Sequence, residues 1–476
     1  MNKLRSLSFT TKLFLLALIL RLVPVLFAIQ LPIGLDDMFQ YDMLARSLVA
    51  GNGFRWYAQD DIDLVKEYID LDFIVKDYDP RGVLTSFRAP AYPAFLAAVY
   101  TVSGLEWRLL AARLAQAALG ATLAPLGYLL ARRLFPKQEG IARFAGYALA
   151  FYPLLVLFPL ALATENLFIP LVLAGSLYLL RAADSTRSGD YLLAGALFGL
   201  ATLTRSVIFA FVALAVLWIW FAAHQRRGAV VFLLAVLAFV VPWTVRNSLL
   251  HERFTFVENS LGYNLHMGYH PEGTGTFQFG ISLELVPYLD DGLRNDLGVQ
   301  AALGYIRQDP GRVPQLMLNK LGYFFGLERR ALTYFYANNF FGYIPILPLM
   351  ALFLLFNLPF PLIATLAALA IPFVRVNKER MLIYLLIGGY LLPHLFLLAE
   401  DRFHMALVPM LAAFAGAAWV NRDQYWAAAK ANRAQLALAL LLVGLLWLNW
   451  GAELWRDADK LAILFGPEGN RAGFSY

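Results

Sequence analysis

The chain contains no cysteine, which excludes a disulfide framework, a cysteine-based metal site and a thiol nucleophile while leaving its compartment open. Charge is scarce too: 15% of residues are Asp, Glu, Lys or Arg, against roughly a quarter in ordinary soluble domains. Histidine occurs six times, and His266, His270, His394 and His404 show no helical metal-ligand pattern such as HExxH, which argues against a zinc site. Internal repeats, a nucleotide-binding glycine motif and low-complexity linkers are all missing.

What is present is apolar. Hydrophobic residues make up 60% of the 476 and mean hydropathy is +0.60, so the bilayer is the solvent for most of the chain. A spanning helix needs about 20 mainly apolar residues. Apolar runs occur at about 13–31, 108–131, 141–160, 166–181, 191–206, 207–223, 228–245, 352–374, 381–399, 403–420 and 435–451, predicting an all-α polytopic membrane protein with about eleven transmembrane helices. The first run, preceded by Lys3, Arg5 and Lys12, lacks a small-residue cleavage motif and reads as a retained span.

The net charge of +6 is explained by orientation rather than by a nucleic-acid partner. With the N-terminus in the cytoplasm, Arg132, Arg133 and Lys137, then Arg181 and Arg187, Arg226 and Arg227, Arg375, Lys378 and Arg380, and finally Arg422, Lys430 and Arg433 all fall on the inner side. Two spans between 338 and 374 would break that pattern, so one is expected, with Phe340 to Met350 at the outer interface or re-entrant. Two long polar loops, about 32–107 and 248–340, then lie outside. The first carries an acidic stretch from Asp60 to Asp79 and an interfacial helix over Ala89 to Tyr100; the second carries a glycine-rich turn region and an amphipathic piece from Val313 to Phe325.

Ionisable groups at the membrane boundary are costly and point to function. On this topology they gather at the outer face: Asp36 and Asp37 after the first span, Arg88, Glu165, Arg205, Arg246 with Asn247, and Asp401 with Arg402. Plainer readings exist for each. Asp36 and Asp37 suit a helix cap, Arg246 an interfacial snorkelling residue, Glu165 and Arg205 structural ion pairs, Asp401 and Arg402 a pair with each other, and Arg21 a buried partner of a carboxylate or carbonyl. Together they suit a carboxylate that deprotonates an attacking hydroxyl and guanidiniums that hold phosphate oxygens.

The order of motifs resembles the GT-C fold glycosyltransferases, in particular the bacterial protein O-mannosyltransferase and aminoarabinose transferase-like family, which includes the Rhizobium lipopolysaccharide transferase-like branch. The matching pieces are Asp37, Tyr41, Ala45, Leu48, Gly51, Gly53 and Phe54; Arg88, Pro90, Tyr92 and Pro93; Thr164 and Glu165; Gly199, Leu200, Thr204 and Arg205; Pro242, Trp243, Arg246 and Asn247; and Asp401, Arg402, Phe403 and Pro409. The resemblance implies a GT-C transmembrane domain over 1–420, with 421–476 adding a span and an outer tail. It also implies an inverting transfer from a polyprenyl-phosphate-sugar donor to an extracytoplasmic glycan, lipid or protein acceptor at the plasma membrane, without cofactor or metal.

By this resemblance Asp37 is the general base, with Asp36 its rival because the family's Asp-Glu pair is here Asp37-Met38 preceded by Asp36. Glu165 is the second acidic position, Arg88, Arg205, Arg246 and Arg402 hold the donor phosphate, and Tyr41, Tyr92, Asn247 and Asp401 position substrate. Two other classes fit the composition: an extracytoplasmic polymerase or ligase using a polyprenyl-diphosphate oligosaccharide, and a transporter or lipid flippase, which predicts repeats and midplane charges.

Overall fold

A computed structural model describes residues 7–34, 36–66, 78–329 and 343–466. The fold is helical, with one two-stranded antiparallel ribbon among the described residues, pairing Arg55 with Leu84 and Trp56 with Val83. Among the described residues six helices are long and apolar enough to cross a membrane: Phe9–Phe27, Arg108–Leu134, Glu165–Ser185, Arg226–Leu250, Ile346–Phe373 and Arg433–Arg456. The bent pair Glu139–Phe151 and Pro153–Leu160 makes a seventh if counted as one span. The count of eleven is therefore not confirmed, because several predicted spans form shorter helices, such as Ser206–Phe221 and Val408–Val420. Between 346 and 373, where one span was expected, the helices Ile346–Asn357 and Pro359–Ala370 follow end to end and count as one candidate span.

Local sequence explains the breaks. Pro153 has no backbone N–H and restricts the residue before it, so the helix stops at Phe151, Tyr152 turns extended, and the pair bends by 51°. That bend leads the chain through Thr164 into the helix Glu165–Ser185. Small residues let the helices approach closely, as is usual where lipid removes the hydrophobic drive between them. Gly195 is an example: a methyl there would stand 2.5 Å from the Phe232 carbonyl oxygen and 2.6 Å from the Ala235 methyl, so the helices Ser188–Thr202 and Arg226–Leu250 lie almost backbone to backbone. Arg21 is fully buried and donates to the carbonyls of Ala17 and Leu149, each at 3.1 Å, a structural role.

Both polar loops carry helices of their own. In the first, Asp36 caps the helix Asp37–Val49 by accepting from the Met38 N–H at 2.9 Å, Gly51 and Gly53 turn the chain at φ 74° and 80°, and the expected interfacial helix runs from Ala91 to Ser103. The second loop holds Leu261–Tyr269, Asp291–Gln308 and Arg312–Phe324, the last matching the predicted amphipathic piece. Parts of the acidic stretch (67–77), of the Phe340–Met350 piece (340–342) and of the C-terminal tail (467–476) lie outside the described residues. The chain after 420 packs back on the rest, with Trp450 buried in the core and its ring N–H bonded to the Phe325 carbonyl at 2.7 Å.

Candidate active site

Asp37 is the first residue of its helix, so its side chain projects from the helix start beside the Asp36 cap. Two guanidiniums grip it from distant parts of the chain. Arg88 donates to one carboxylate oxygen, and Arg402 reaches the other at 2.9 Å. Each arginine is held from behind: Arg88 Nε donates to Gln40 Oε1 at 2.8 Å, and Arg402 Nε to Glu400 Oε2 at 2.9 Å. Burial alone would raise the Asp37 carboxyl, but the two guanidiniums override it and hold the group well below the usual carboxylate range. Asp36 goes the other way: burial, and then repulsion from Asp37, push it up. The two neighbouring carboxylates therefore differ, one capping and disfavoured as an anion, the other stabilised as one.

Tyr41 stands one turn further along the helix and packs against Arg88, whose guanidinium carbon is 5.3 Å from its ring centre. Tyr92 meets Tyr41 edge-on at 5.0 Å and is anchored by donating to Gln116 Oε1 at 2.5 Å, so it supports Tyr41 from behind. A second ion pair lies close by. Glu165, the first residue of its helix, accepts from Arg205 at 2.5 Å and from the Thr164 hydroxyl at 3.2 Å, while Arg205 also lies over the Phe403 ring at 4.8 Å. Arg402 is within electrostatic reach of both Asp36 and Glu165, which joins the two pairs into one polar cluster.

The structure thus brings together Asp36, Asp37, Arg88, Glu165, Arg205, Arg402 and Tyr41, with Tyr92 behind them. The bonds of two other predicted residues, Arg246 and Asn247, lead elsewhere, whereas Asp401 bonds to Arg402 itself. Arg246 donates to the Thr85 carbonyl at 2.7 Å and to Asn247 Oδ1 at 2.9 Å, and Asn247 donates to the carbonyls of Phe256 and Val257 at 3.2 and 3.0 Å. Asp401 accepts from the Arg402 backbone N–H at 2.9 Å. Gln40 and Glu400 were missed by sequence reasoning. Gln40 follows Asp37 by three residues on a helix, a same-face spacing that is visible in retrospect; Glu400 gave no such signal. A surface cleft of about 380 Å³ between Arg55, Asp79, His251 and Asp291 contains none of the predicted site residues.

Comparison with known proteins supports the fold. Residues 88–245 match the family model of the dolichyl-phosphate-mannose-protein mannosyltransferases. That stretch includes Arg88, Glu165 and Arg205 and leaves Asp37 and Arg402 outside. The oligosaccharyltransferase of Archaeoglobus fulgidus, solved with zinc and sulfate, is similar at a TM-score of 0.50 and 16% identity over 98% of this chain. This chain spans 59% of that protein's length. The same organism's oligosaccharyltransferase AglB, in complex with an inhibitory peptide and a dolichol-phosphate, scores 0.47 at 15% identity over 98% of this chain and 59% of its own. ArnT from Cupriavidus metallidurans bound to undecaprenyl phosphate scores 0.38 at 14% identity, over 97% of this chain and 82% of its own. No curated protein sequence matches significantly. The chain has the GT-C membrane fold, and its resemblance to the protein O-mannosyltransferases is borne out over the matched residues.

Proposed function

We propose that this protein is an inverting glycosyltransferase that moves a sugar from a polyprenyl-phosphate-sugar to an acceptor outside the plasma membrane. The observation that carries the proposal is the Asp37 carboxylate held between Arg88 and Arg402, at the outer end of the predicted topology. A base beside two phosphate-binding forks is what displacement at a glycosyl phosphate needs. The acceptor hydroxyl gives its proton to Asp37, its oxygen bonds to the anomeric carbon, and the carbon–oxygen bond to phosphate breaks with its electron pair on the phosphate. Arg88 and Arg402 stabilise that charge, and one displacement inverts the anomeric centre. Glu165, positioned by Arg205, orients acceptor or sugar. Arg246 serves as a buttress for the Thr85 backbone.

On this reading residues 1–420 form the catalytic domain and the N-terminus is cytoplasmic, in keeping with the one-sided basic clusters. The two guanidiniums are already engaged by Asp37, so the incoming phosphate competes for them and in doing so frees the carboxylate to act as a base. The test is mass spectrometry of lipids co-purified with the detergent-solubilised protein, followed by incubation with short-chain polyprenyl-phosphate-sugars. Release of polyprenyl phosphate with transfer to an added acceptor supports the proposal. Exclusive turnover of diphosphate-linked oligosaccharide would make the protein a polymerase or ligase, and no polyprenyl lipid at all would remove the transferase.

A further inference from the structure

The second outer loop carries a group of side chains that the reaction above does not use. His266 lies in the last turn of the helix Leu261–Tyr269 and His270 caps it, so the pair is four residues apart, the histidine spacing of HExxH without its Glu, contrary to the sequence reading that discounted it. Glu284 follows the short helix Phe279–Leu283 and turns back onto both. Its Oε2 lies 3.1 Å from His266 Nε2 and its Oε1 3.4 Å from His270 Nε2, and the three ligand atoms all lie within 4.8 Å of one another. In a tetrahedral zinc site with ligands at about 2.0–2.1 Å, neighbouring ligand atoms stand roughly 3.3 Å apart, the distance at which each imidazole already meets one of the two carboxylate oxygens. To share one ion, the imidazoles close on each other and Glu284 either turns one oxygen between them or chelates with both.

We propose that His266, His270 and Glu284 form a divalent-metal site, with zinc the cation that two imidazoles and one carboxylate favour, water completing the coordination. The surroundings suit one of the two rings. His266 is buried, and its Nδ1 stands 3.5 Å from the Tyr305 hydroxyl, which can hold the Nδ1 proton while Nε2 ligates. His270 has to change: its Nδ1 accepts from the Glu272 N–H at 3.2 Å, so binding moves the ring proton from Nε2 to Nδ1 and turns that exposed amide to water. The loss is that exposed hydrogen bond together with the His266–Glu284 hydrogen bond, whose Nε2 proton likewise passes to Nδ1, against the several metal–ligand bonds gained.

The same helix packs against residues that flank both arms of the Asp37 grip in sequence. Tyr263 stacks edge-on against Phe87, next to Arg88, at 5.3 Å, and Met267 packs with Leu398, close to Glu400 and Arg402. An ion tying its C-terminal end to Glu284 therefore fixes the wall between Arg88 and Arg402. The site is a clasp rather than a reacting centre.

The test uses the full chain in detergent with any affinity tag removed. Zinc is measured by elemental analysis after equilibration with zinc sulfate and desalting, alongside the shift in thermal unfolding on adding zinc. Expected are about one zinc per chain, a rise in the unfolding temperature with zinc, and at least a ten-fold loss of bound zinc in H270A and in E284Q, while H224A, which removes an exposed histidine outside the trio, keeps wild-type zinc. Less than a tenth of a zinc per chain in the wild type, or equal zinc in E284Q, would overturn the proposal and leave the trio as His–Glu hydrogen bonds. E284Q alters the exposed member of the trio, Glu284 being 49% exposed, and the wild-type measurement decides the question even if either variant misfolds.

Discussion

Asp37→Asn separates basicity from structure at the proposed centre. Asparagine keeps the size and one acceptor oxygen of the side chain but cannot take the acceptor's proton. Losing a positioned general base slows turnover by about 10²–10⁴-fold. Folding is expected to survive, since Asp37 is 33% exposed and pairs of that kind contribute about 0–1 kcal/mol. Arg88 also keeps Gln40, and Arg402 keeps Glu400. The unfolding temperature should therefore move by no more than a few degrees, on the order of 2–4 °C per kcal/mol. Carrier affinity gives the sharper sign. In the wild type phosphate must displace Asp37 from both guanidiniums; in the variant the competitor is neutral, so polyprenyl phosphate should bind as tightly or up to about 5-fold more tightly, the equivalent of ~1 kcal/mol. Release of polyprenyl phosphate from labelled donor measures the first effect, and calorimetric binding of sugar-free carrier the second. Turnover within three-fold of wild type would refute Asp37 as the base, and clearly weaker carrier binding would refute the competition.

Arg402→Ala should weaken carrier binding by about 10–100-fold, the cost of a charge-assisted hydrogen bond, whereas Arg246→Ala should lower the unfolding temperature and leave carrier binding within three-fold; comparable losses of binding in both would return Arg246 to the phosphate site. Because the two guanidiniums hold the Asp37 carboxyl below the usual range, kcat/KM should show no acid limb from it above about pH 4, while kcat, with phosphate occupying the arginines, should show its limb at higher pH; coincident limbs would argue against the exchange. Lys320, buried without a hydrogen-bond partner among the described residues and 3.7 Å from the Tyr269 ring centre, has its ammonium lowered to about 8 by burial. The unfolded chain then holds more protons between pH 8 and the ordinary lysine value, so stability should rise with pH across that window, and Lys320→Met should stabilise the protein by ~1–3 kcal/mol at neutral pH and flatten the rise. Gly195→Val should destabilise by about 1–3 kcal/mol, read by thermal unfolding, because its side chain meets the Phe232 carbonyl and the Ala235 methyl.

The membrane class, the helical fold and the helices of the two long polar loops were legible because each is a property of local composition. Residues 91–103 and 312–324 form helices where apolar and amphipathic pieces were read. Span number was less legible, since length and apolarity alone do not say whether a 13-residue helix such as Val408–Val420 crosses or stops short. Asp37 against Asp36 was ambiguous for a physical reason too: both sit at one helix start, and only the fold shows that Asp36 spends its oxygen on the Met38 amide while Asp37 faces Arg88 and Arg402.

What the motif order could not carry was pairing. Arg246 and Arg402 look alike in sequence, each an arginine at the end of an apolar run, yet one turns to a backbone carbonyl and the other to the carboxylate 365 residues away. The difference lies in what holds each guanidinium from behind: Glu400 orients the Arg402 fork toward Asp37, whereas Asn247 and Thr85 engage Arg246. A fork has five donors and little freedom once one edge is fixed, so the residue behind an arginine decides its partner. Glu400→Gln tests that reasoning without touching the proposed reacting groups. The neutral amide holds Arg402 more loosely, so carrier binding should weaken several-fold while the pH dependence of kcat keeps its shape. An altered pH profile would mean that Glu400 itself takes the proton.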